Sequence, residues 1–327
     1  MTLRETSPIK VLCTGILVAD IFVPLMEALP AAGELRATED FLLDTGGCAA
    51  NVATCLARLG VGSAVTGRVG SDVFGDFIAD DLRAKGVGTL GIRRSAQLGT
   101  SKTVILPVVG QDRRFIHTFG ANAEFSGPDI ALDTLPPGGV LYLGGFLIMP
   151  SLESSAVGTL FREARERGIT TVLDVVVPAG DCSASMRLLM DILPHTDYFL
   201  PNDEEARALT GKSAPYEQAV RFLNAGCGTA LITQGRNGSL LLNEALHYEA
   251  GAFPTEFVDG SGAGDAFAAG FIAALAEKRD AADALRFASA IGASACTKLG
   301  CTTGVFTRAE ADAFLRRHEL PLVRRKG

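Results

Sequence analysis

The sequence predicts an α/β fold in which helices cover both faces of a mostly parallel sheet. Its 327 residues, 47% of them hydrophobic, can bury the core of one large domain or of two smaller ones. Short, continuously apolar runs alternate with amphipathic helical stretches, a pattern typical of parallel strands buried between two helical layers. The apolar runs lie at residues 9–14, 140–143, 171–177, 198–200 and 229–233.

The helices are predicted from the 3.6-residue spacing of apolar positions. They span residues 50–59, 76–85, 153–167, 216–223, 263–276, 281–298 and 308–317. Gly60 marks the end of the first helix, and the polar run Asn202-Asp-Glu-Glu205 is typical of a helix start after the strand at 198–200. Residues 86–91 fit a G-x-G-x-x-G dinucleotide pattern but follow a helix rather than a strand. We therefore interpret them as a helix stop and turn.

Two segments break this alternation and predict a second, smaller sheet. Residues 16–45 and 100–119 contain β-branched runs with no helix between them. A hairpin turn is expected at residues 110–112, between the two β-branched runs of the second segment. We expect these segments to pair beside the main sheet.

Charge and composition favour a soluble protein of the cytoplasm. The formal net charge is −7 and the isoelectric point is about 5.2, which argues against a nucleic-acid partner or an anionic membrane surface. No run approaches the roughly 20 apolar residues that a membrane span needs. The seven cysteines include no C-x-x-C pair, as expected for free thiols in a reducing compartment.

The most informative motif is Asp259-Gly-Ser-Gly-Ala-Gly-Asp265, which runs directly into an apolar helix. Glycines allow successive main-chain N–H groups to converge on one point, and a helix amino terminus adds partial positive charge there. Such a loop can hold a phosphate, and Asp265 beside it is suited to act as general base toward a hydroxyl. The alternative is that Asp265 only caps the helix.

A second motif lies far upstream. Thr45-Gly-Gly-Cys-Ala-Ala-Asn51 places two glycines before a helix and an amide in its first turn. The glycines permit a ligand to approach the main chain, and Asn51 can both donate to and accept from a polyol. The alternative is a tight loop in which Asn51 is a local cap.

Together these motifs resemble the PfkB family of carbohydrate kinases, which has a ribokinase-like fold. The family's first signature is matched at Gly46, Gly47, Asn51, Gly60 and Gly70. The second is matched at Asp259, Gly262, Ala263, Gly264 and Asp265, and an Asn-x-x-Glu and a Thr-x-Gly turn lie between them, at Asn202, Glu205, Thr233 and Gly235. The matches follow the family's order over nearly the whole chain.

The resemblance implies a three-layer α/β/α sandwich, one kinase domain over 1–327, and a small β-sheet lid over the sugar formed by about 16–45 and 100–119. It implies that Asp265 is the catalytic base and that N–H groups of Gly262, Ala263 and Gly264 stabilise the transferring phosphate. The sugar ligands it implies are Asp20, Gly46, Gly47 and Asn51. For Asp20, the alternative is an edge charge that blocks aggregation.

The resemblance also implies a nucleotide site and two cation sites. The residues expected to contact ATP are Asn202, Thr233, Gly235, Gly262, Gly264 and Ser289. Glu205 is expected to hold Mg²⁺ through water, although an acidic first helix turn explains Asn202 and Glu205 equally well. Asp259 matches the position near which several family members bind a monovalent cation, here K⁺.

Departures from the family pattern leave the acceptor open. Gly260 stands where the family usually has Thr, and Cys48 and Ala49 replace the Lys-Gly common in ribokinases. Residues 141–145 offer no glutamate to a sugar, so ribose specificity is not indicated. We expect an ATP-dependent kinase that phosphorylates a hydroxyl, preferably a primary one, of a sugar or sugar acid. The alternatives are a nucleoside kinase of the same fold or a catalytically silent sensor. An exposed β-lid predicts a homodimer through the lid.

Overall fold

A computed structural model describes residues 8–111, 114–178 and 182–325. Within these ranges the chain forms fourteen strands and nine α-helices. The strands are β1 (Val11–Gly15), β2 (Val18–Phe22), β3 (Leu42–Gly46), β4 (Ser63–Gly70), β5 (Gly88–Ser95), β6 (Lys102–Leu106), β7 (Arg114–Thr118), β8 (Val140–Phe146), β9 (Thr170–Val175), β10 (Tyr198–Phe199), β11 (Thr229–Thr233), β12 (Ser239–Leu242), β13 (His247–Ala250) and β14 (Leu322–Arg324). The helices are α1 (Cys48–Arg58), α2 (Val73–Ala84), α3 (Ser154–Glu166), α4 (Ser183–Leu189), α5 (Asp203–Thr210), α6 (Pro215–Asn224), α7 (Ala263–Ala276), α8 (Ala281–Ala295) and α9 (Arg308–Leu315).

Ten strands form the central sheet, in the order β14-β13-β12-β11-β10-β9-β8-β1-β4-β5. The seven strands from β11 to β5 pair in parallel. The remaining strands, β12, β13 and β14, are added antiparallel at one edge. The predicted, mostly parallel sheet is therefore confirmed.

Each face of this sheet carries its own apolar core. On β1, Cys13 packs into the core shared with α1, α7 and α8, whereas its neighbour Leu12 packs into the core shared with α3, α5 and α6. Successive strand residues point to opposite faces, so a buried strand that must fill both cores is apolar throughout. The helices thus form two layers around the sheet, as predicted. No helix in the described part of the chain has the length and apolarity to cross a membrane.

The smaller sheet has four strands in the order β3-β2-β6-β7. β2 pairs antiparallel with β3 and parallel with β6, and β6 and β7 form an antiparallel hairpin. Its strands come from the two segments from which a separate sheet was predicted, 16–45 and 100–119, except that β3 extends one residue further, to Gly46. Of the predicted hairpin turn at 110–112, residue 112 lies outside the described residues.

The helix stop and turn predicted at 86–91 is only partly present. Gly86, with φ +83°, turns the chain after α2, but Gly88 already begins β5. β5 is an edge strand with several exposed residues, so it lacks the continuous apolar run by which buried strands are recognised. The preceding strand β4 was missed as well, because Gly67 and Arg68 interrupt its apolar run. At the end of the chain, α8 and α9 stop two or three residues earlier than predicted, at Ala295 and Leu315.

The sheet topology brings the distant motifs to one edge. Parallel strands end at the same edge, and ligands of open α/β sheets bind outside their carboxyl ends. Asp174 lies near the end of β9, and Asn202, after β10, forms an isolated bridge with Thr233 at the end of β11. The amino terminus of α7 lies here too, since Asp265 lines a cavity with Asp174 and Asn202.

Candidate active site

The first turns of α1 and α7 meet at one hydrogen bond. Nδ2 of Asn51 donates to Oδ2 of Asp265 at 2.8 Å, although 214 residues separate the two in sequence. Asn51 is only 3% exposed, and its Oδ1 has no partner among the described residues. Buried polar atoms are nearly always hydrogen-bonded, so Oδ1 is an acceptor available to a ligand hydroxyl.

The glycines before α1 make room for the strands around them. A Cβ on Gly46 would lie 1.8 Å from Oδ2 of Asp20, so only glycine lets the Asp20 carboxylate occupy this place. Gly47 has φ +91°, and a Cβ there would lie 2.4 Å from the main-chain oxygen of Ile16. The first motif is therefore tightly packed between β2 and the turn that leads into α1.

The second glycine motif forms the amino terminus of α7. Gly262 is the residue before the helix, with φ +71°, and a Cβ on it would lie 2.2 Å from the main-chain oxygen of Cys301. No side chain among the described residues caps this terminus. In the described chain, the N–H groups of Gly264 and Asp265 have no protein acceptor, as expected for an uncapped first turn. These donors are free to bind an anion.

Asp265 lies in a half-buried cluster of acidic groups. Ligand atoms of Cys48, Asp174 and Asp265 all lie within 4.8 Å of one another. Tyr142 donates its hydroxyl to Oδ2 of Asp174 at 2.7 Å. Burial raises the pKa of Asp265, while hydrogen bonds from Asn51 and Cys48 lower it less strongly. A carboxylate whose pKa is raised toward neutrality is a better proton acceptor than an ordinary aspartate.

Asp20 is buried on the small sheet. Burial raises its pKa to about 6, a rise opposed by hydrogen bonds from Thr103 and Cys301 and reinforced by the nearby charges of Asp44 and Asp265. The Cys301 thiol donates to Oδ2 of Asp20 at 3.8 Å. The charge of Asp265, at the α7 terminus, thus acts on Asp20 in the small sheet. A buried carboxylate with only weak donors is suited to accept hydrogen bonds from ligand hydroxyls.

Asn202 and Glu205 form a capping box at the start of α5. Oδ1 of Asn202 accepts from the N–H of Glu205 at 2.8 Å, and Oε2 of Glu205 accepts from the N–H of Asn202 at 2.9 Å. These two residues thus do stabilise the start of a helix, which was the alternative explanation for them. Even so, Glu205 lines the same small cavity as Asp174 and Asp265, and burial together with the charge of Asp265 raises its pKa to about 7.

Two neighbouring cavities adjoin the α7 terminus. The larger, of about 870 Å³, is lined by predicted nucleotide contacts together with apolar residues: Thr233, Gly235, Gly264, Ser289, Phe253 and Phe267. The smaller, of about 160 Å³, is lined by Cys48, Asp174, Asn202, Glu205, Gly262 and Asp265. Thr233, Gly264 and Phe267 line both. A mostly apolar chamber thus leads to the carboxylate cluster, as an adenosine group joined to phosphates would require.

Asp259 lines neither of these two cavities. Its Oδ1 accepts from the N–H and the hydroxyl of Ser261 at 3.1 Å each, and its Oδ2 accepts from the N–H of Gly300 at 3.4 Å. These bonds tie the loop before α7 to the segment after α8. The carboxylate thereby positions the glycine loop.

Sequence reasoning missed the roles of Asp174 and Tyr142 and the acidic surroundings of Cys48. A signal for Asp174 was present, because it interrupts an apolar run just as Asp20 does, and a lone carboxylate in a buried strand needs a partner. Tyr142 offered no such signal. A tyrosine in a buried strand is ordinary, and its bond to Asp174 depends on the pairing of β8 with β9.

Comparisons with known proteins identify the family of this chain. The pattern of the pfkB family carbohydrate kinases matches residues 9–308. A ribokinase of Haemophilus influenzae is 28% identical over 288 residues, covering 86% of this chain and 91% of that protein. A fructokinase of Solanum tuberosum is 26% identical over 307 residues, covering 90% and 92%. The structure of Arabidopsis thaliana ribokinase complexed with ribose and ATP has the same fold, with a TM-score of 0.79 at 24% identity over 94% of this chain and 99% of that one. The chain belongs to the pfkB family of carbohydrate kinases and is a phosphotransferase that acts on sugars.

Proposed function

We propose that this kinase transfers the γ-phosphate of ATP to a primary hydroxyl of a sugar or sugar acid, with Asp265 as the general base. The observation that carries this proposal is the contact between Asn51 and Asp265. It joins an amide with a free acceptor to a carboxylate of raised pKa, directly beside unpaired main-chain donors. A structural cap has no need of this combination.

The chemical step uses three groups of the α7 terminus. The Asp265 carboxylate takes the proton of the acceptor hydroxyl as its oxygen bonds to the γ-phosphorus. The bond from that phosphorus to the bridging oxygen breaks, and ADP leaves. The N–H groups of Gly264 and Asp265, aided by the helix dipole, stabilise the charge on the phosphoryl oxygens. Because these donors are held by the fold, they need little reorganisation during the reaction.

The acceptor lies between the small sheet and α1 in this proposal. Asp20 accepts hydrogen bonds from its hydroxyls, and Oδ1 of Asn51 takes one more. Gly46 and Gly47 serve the sugar site indirectly, because Gly46 leaves room for the Asp20 carboxylate and Gly47 lets the chain turn into α1 beside Ile16. Residues of the small sheet cover the sugar as a lid. Excluding water in this way protects the phosphoryl group from hydrolysis.

The residues around the two cavities fit ATP and Mg²⁺. The 870 Å³ chamber beside Ser289 and Gly235 is in the size range of ligand pockets. Thr233 lies where it meets the smaller cavity, which Asn202 lines. Mg²⁺ prefers oxygen ligands and retains several waters. The Glu205 carboxylate already accepts from a main-chain N–H, which suits contact with the ion through water. When bound, Mg²⁺ neutralises charge on the phosphates.

A monovalent cation near Asp259 is a further part of the proposal. Asp259 orients the glycine loop through Ser261 and Gly300, so an ion such as K⁺ next to it would order the phosphate-binding donors. Kinase rates in K⁺ and in an equal concentration of choline test this. Equal rates would remove the cation from the mechanism.

We further propose a homodimer that forms through the lid. One face of the small sheet carries four apolar cross-strand partners, Leu43, Ile21, Val104 and Ile116. Of these, Leu43 and Ile116 are exposed. Exposed apolar residues on a sheet face favour burial against a second copy. Light scattering on the wild type and on Ile116→Lys tests it. A monomeric wild type would refute it. The cysteines, none of which is in a disulfide among the described residues, fit a reducing cytoplasm, where we place the enzyme.

The acceptor class is tested by ADP release with a panel of pentoses, hexoses, ketoses, sugar acids and nucleosides. We expect turnover with a sugar or sugar acid and little with nucleosides. Preferential turnover of a nucleoside would instead establish the nucleoside kinase. Ligand binding without ADP release for any acceptor would indicate a sensor and would refute the proposal.

A further inference from the structure

The cluster beside Asp265 contains a thiol as well as carboxylates. Sγ of Cys48 and carboxylate oxygens of Asp174 and Asp265 lie within 4.8 Å of one another. All three side chains are half-buried, so the cluster is reachable from the cavity. The thiol is a feature of this chain, because Cys48 stands where ribokinases commonly carry lysine.

Hydrogen bonds hold the carboxylates of this cluster in place. Tyr142 and the N–H of Val175 donate to the two oxygens of Asp174 at 2.7 and 2.8 Å, and Asn51 donates to Asp265. Neighbours that orient metal ligands in this way strengthen metal binding. Within the described residues, no lysine or arginine forms an ion pair with either carboxylate. The positive charge that such a cluster attracts must therefore come from a ligand.

The ligand set favours one kind of cation. One thiolate and two carboxylates, with room for a water, match the three-ligand open sites of Zn²⁺. Bonds of about 2.3 Å to sulfur and about 2.0–2.2 Å to oxygen would place the ligand atoms roughly 3.3–3.6 Å apart, so closing the cluster requires movements of about 1 Å. Mg²⁺ does not take sulfur ligands, whereas Zn²⁺ binds thiolates readily.

We propose that Cys48, Asp174 and Asp265 form an inhibitory site for Zn²⁺. On binding, the Cys48 thiol releases its proton to solvent and a zinc–sulfur bond forms, while the carboxylates supply oxygen ligands. Coordination occupies the Asp265 carboxylate, which can then no longer accept the proton of the acceptor hydroxyl. The inference that zinc binds rests only on the geometry of this cluster. The loss of activity rests in addition on the proposed role of Asp265.

The site is tested first without any kinase assay. Cd²⁺ is titrated into the full-length, substrate-free enzyme, and the ultraviolet absorption of the cadmium–thiolate bond is followed. Competition with Zn²⁺ then yields the zinc affinity. We expect one site in the wild type and in Cys182→Ser, a control that removes a half-buried thiol elsewhere. Cys48→Ser should abolish the cadmium–thiolate absorption. Retention of that absorption in Cys48→Ser would overturn the proposal.

Two further variants locate the site more narrowly. Asp174→Asn should weaken Zn²⁺ binding by more than about tenfold, since it removes a ligand. The competing hypothesis is that the metal binds at Cys301, whose thiol lies beside the Asp20 carboxylate. Cys301→Ser tests it. If Cys301→Ser abolished binding and Cys48→Ser did not, the metal would belong to the sugar site and the proposal would be wrong.

Inhibition is measured last, at buffered free Zn²⁺ because ATP also binds zinc. Each variant is compared with its own zinc-free rate. The wild type should lose activity over the concentration range in which zinc binds, and Cys48→Ser should resist. Binding at Cys48 without loss of activity would refute the inhibitory role and would also contradict Asp265 as the base. Absence of binding would refute only the zinc site.

Discussion

The amide of Asn51 holds the carboxylate of Asp265 at 2.8 Å and thereby links the two glycine motifs of the chain. Both residues lie in first helical turns, Asn51 on α1 and Asp265 on α7. The hydrogen bond orients the carboxylate and stabilises its charged form. The geometry and the protonation of the proposed base thus depend on a residue from the other motif.

Replacing Asp265 by asparagine should remove most turnover with little effect on folding. The amide preserves the shape of the side chain but cannot accept the proton, and loss of a general base typically costs about 10²- to 10⁴-fold in rate. The measurement is kcat with saturating sugar and ATP, together with the melting temperature. Asp283→Asn is the matched control, because Asp283 is also the third residue of its helix but lines neither of the two cavities. A variant Asp265→Asn with near-normal kcat would eliminate the base assignment.

Asn51→Ala should shift the pH dependence of kcat. The hydrogen bond from Asn51 lowers the pKa of Asp265. Without it that pKa is higher, so the carboxylate becomes protonated at a higher pH. A hydrogen bond to a charged group is worth about 1.5–3 kcal/mol, which corresponds to roughly 1–2 pH units. The pH–kcat profile at saturating substrate shows this as an acidic limb displaced upward. An unchanged limb would mean that Asp265 does not govern the profile.

Asp20→Asn should stabilise the protein at alkaline pH. Burial raises the pKa of Asp20 from 3.8 to about 6, so the folded protein holds this proton more tightly than the unfolded chain. The stability that this group contributes is complete below pH 3.8 and is lost as the pH rises through 6. At pH 8 the ionised Asp20 lowers the free energy of unfolding by about 3 kcal/mol. An asparagine at this position does not ionise and therefore avoids this loss. Urea unfolding at pH 8 and pH 5 should show a gain that is smaller at pH 5.

The same variant should lose affinity for the acceptor, because stability and binding make opposite demands on Asp20. Its KM for the sugar should rise and become independent of pH, whereas the wild-type KM should rise only as the pH falls below about 6. Kinetics at several pH values distinguish the two enzymes. A gain in stability without a change in KM would mean that Asp20 does not contact the sugar and has only a structural role.

Gly262→Ala and Gly264→Ala should separate backbone strain from ligand contact. Gly262 has φ +71° and its Cβ would lie 2.2 Å from the main-chain oxygen of Cys301, so alanine should cost at least about 2 kcal/mol of stability. A Cβ on Gly264 meets nothing within 4 Å. Alanine there should leave the melting temperature at or above that of the wild type, because it favours the helix, while raising the KM for ATP. Equal melting temperatures for the two variants would contradict the close approach of Gly262 to Cys301.

Much of the fold could be predicted because it rests on local patterns. Continuous apolar runs identified the buried strands β1, β8, β9 and β11, and helical spacing identified α1, α3, α7 and α8. The edge strand β5 escaped, since its exposed side chains carry no burial signal. The glycine motifs were recognisable for a similar reason. Gly47 and Gly262 combine a positive φ, which favours glycine, with a main-chain oxygen that leaves no room for a Cβ. The sequence therefore shows glycine at those positions.

The sequence by itself determined most of the buried strands and helices, the two glycine-rich helix starts, and the choice of Asp265 and Asn51 as candidate site residues. Those properties follow from backbone conformation and periodic burial, which act over a few residues. Only the tertiary structure decided that Asn51 meets Asp265 across 214 residues and that Cys48 and Asp174 join them. Such contacts depend on strand order and helix packing, because side chains remote in sequence become neighbours only when the sheet aligns the ends of its strands.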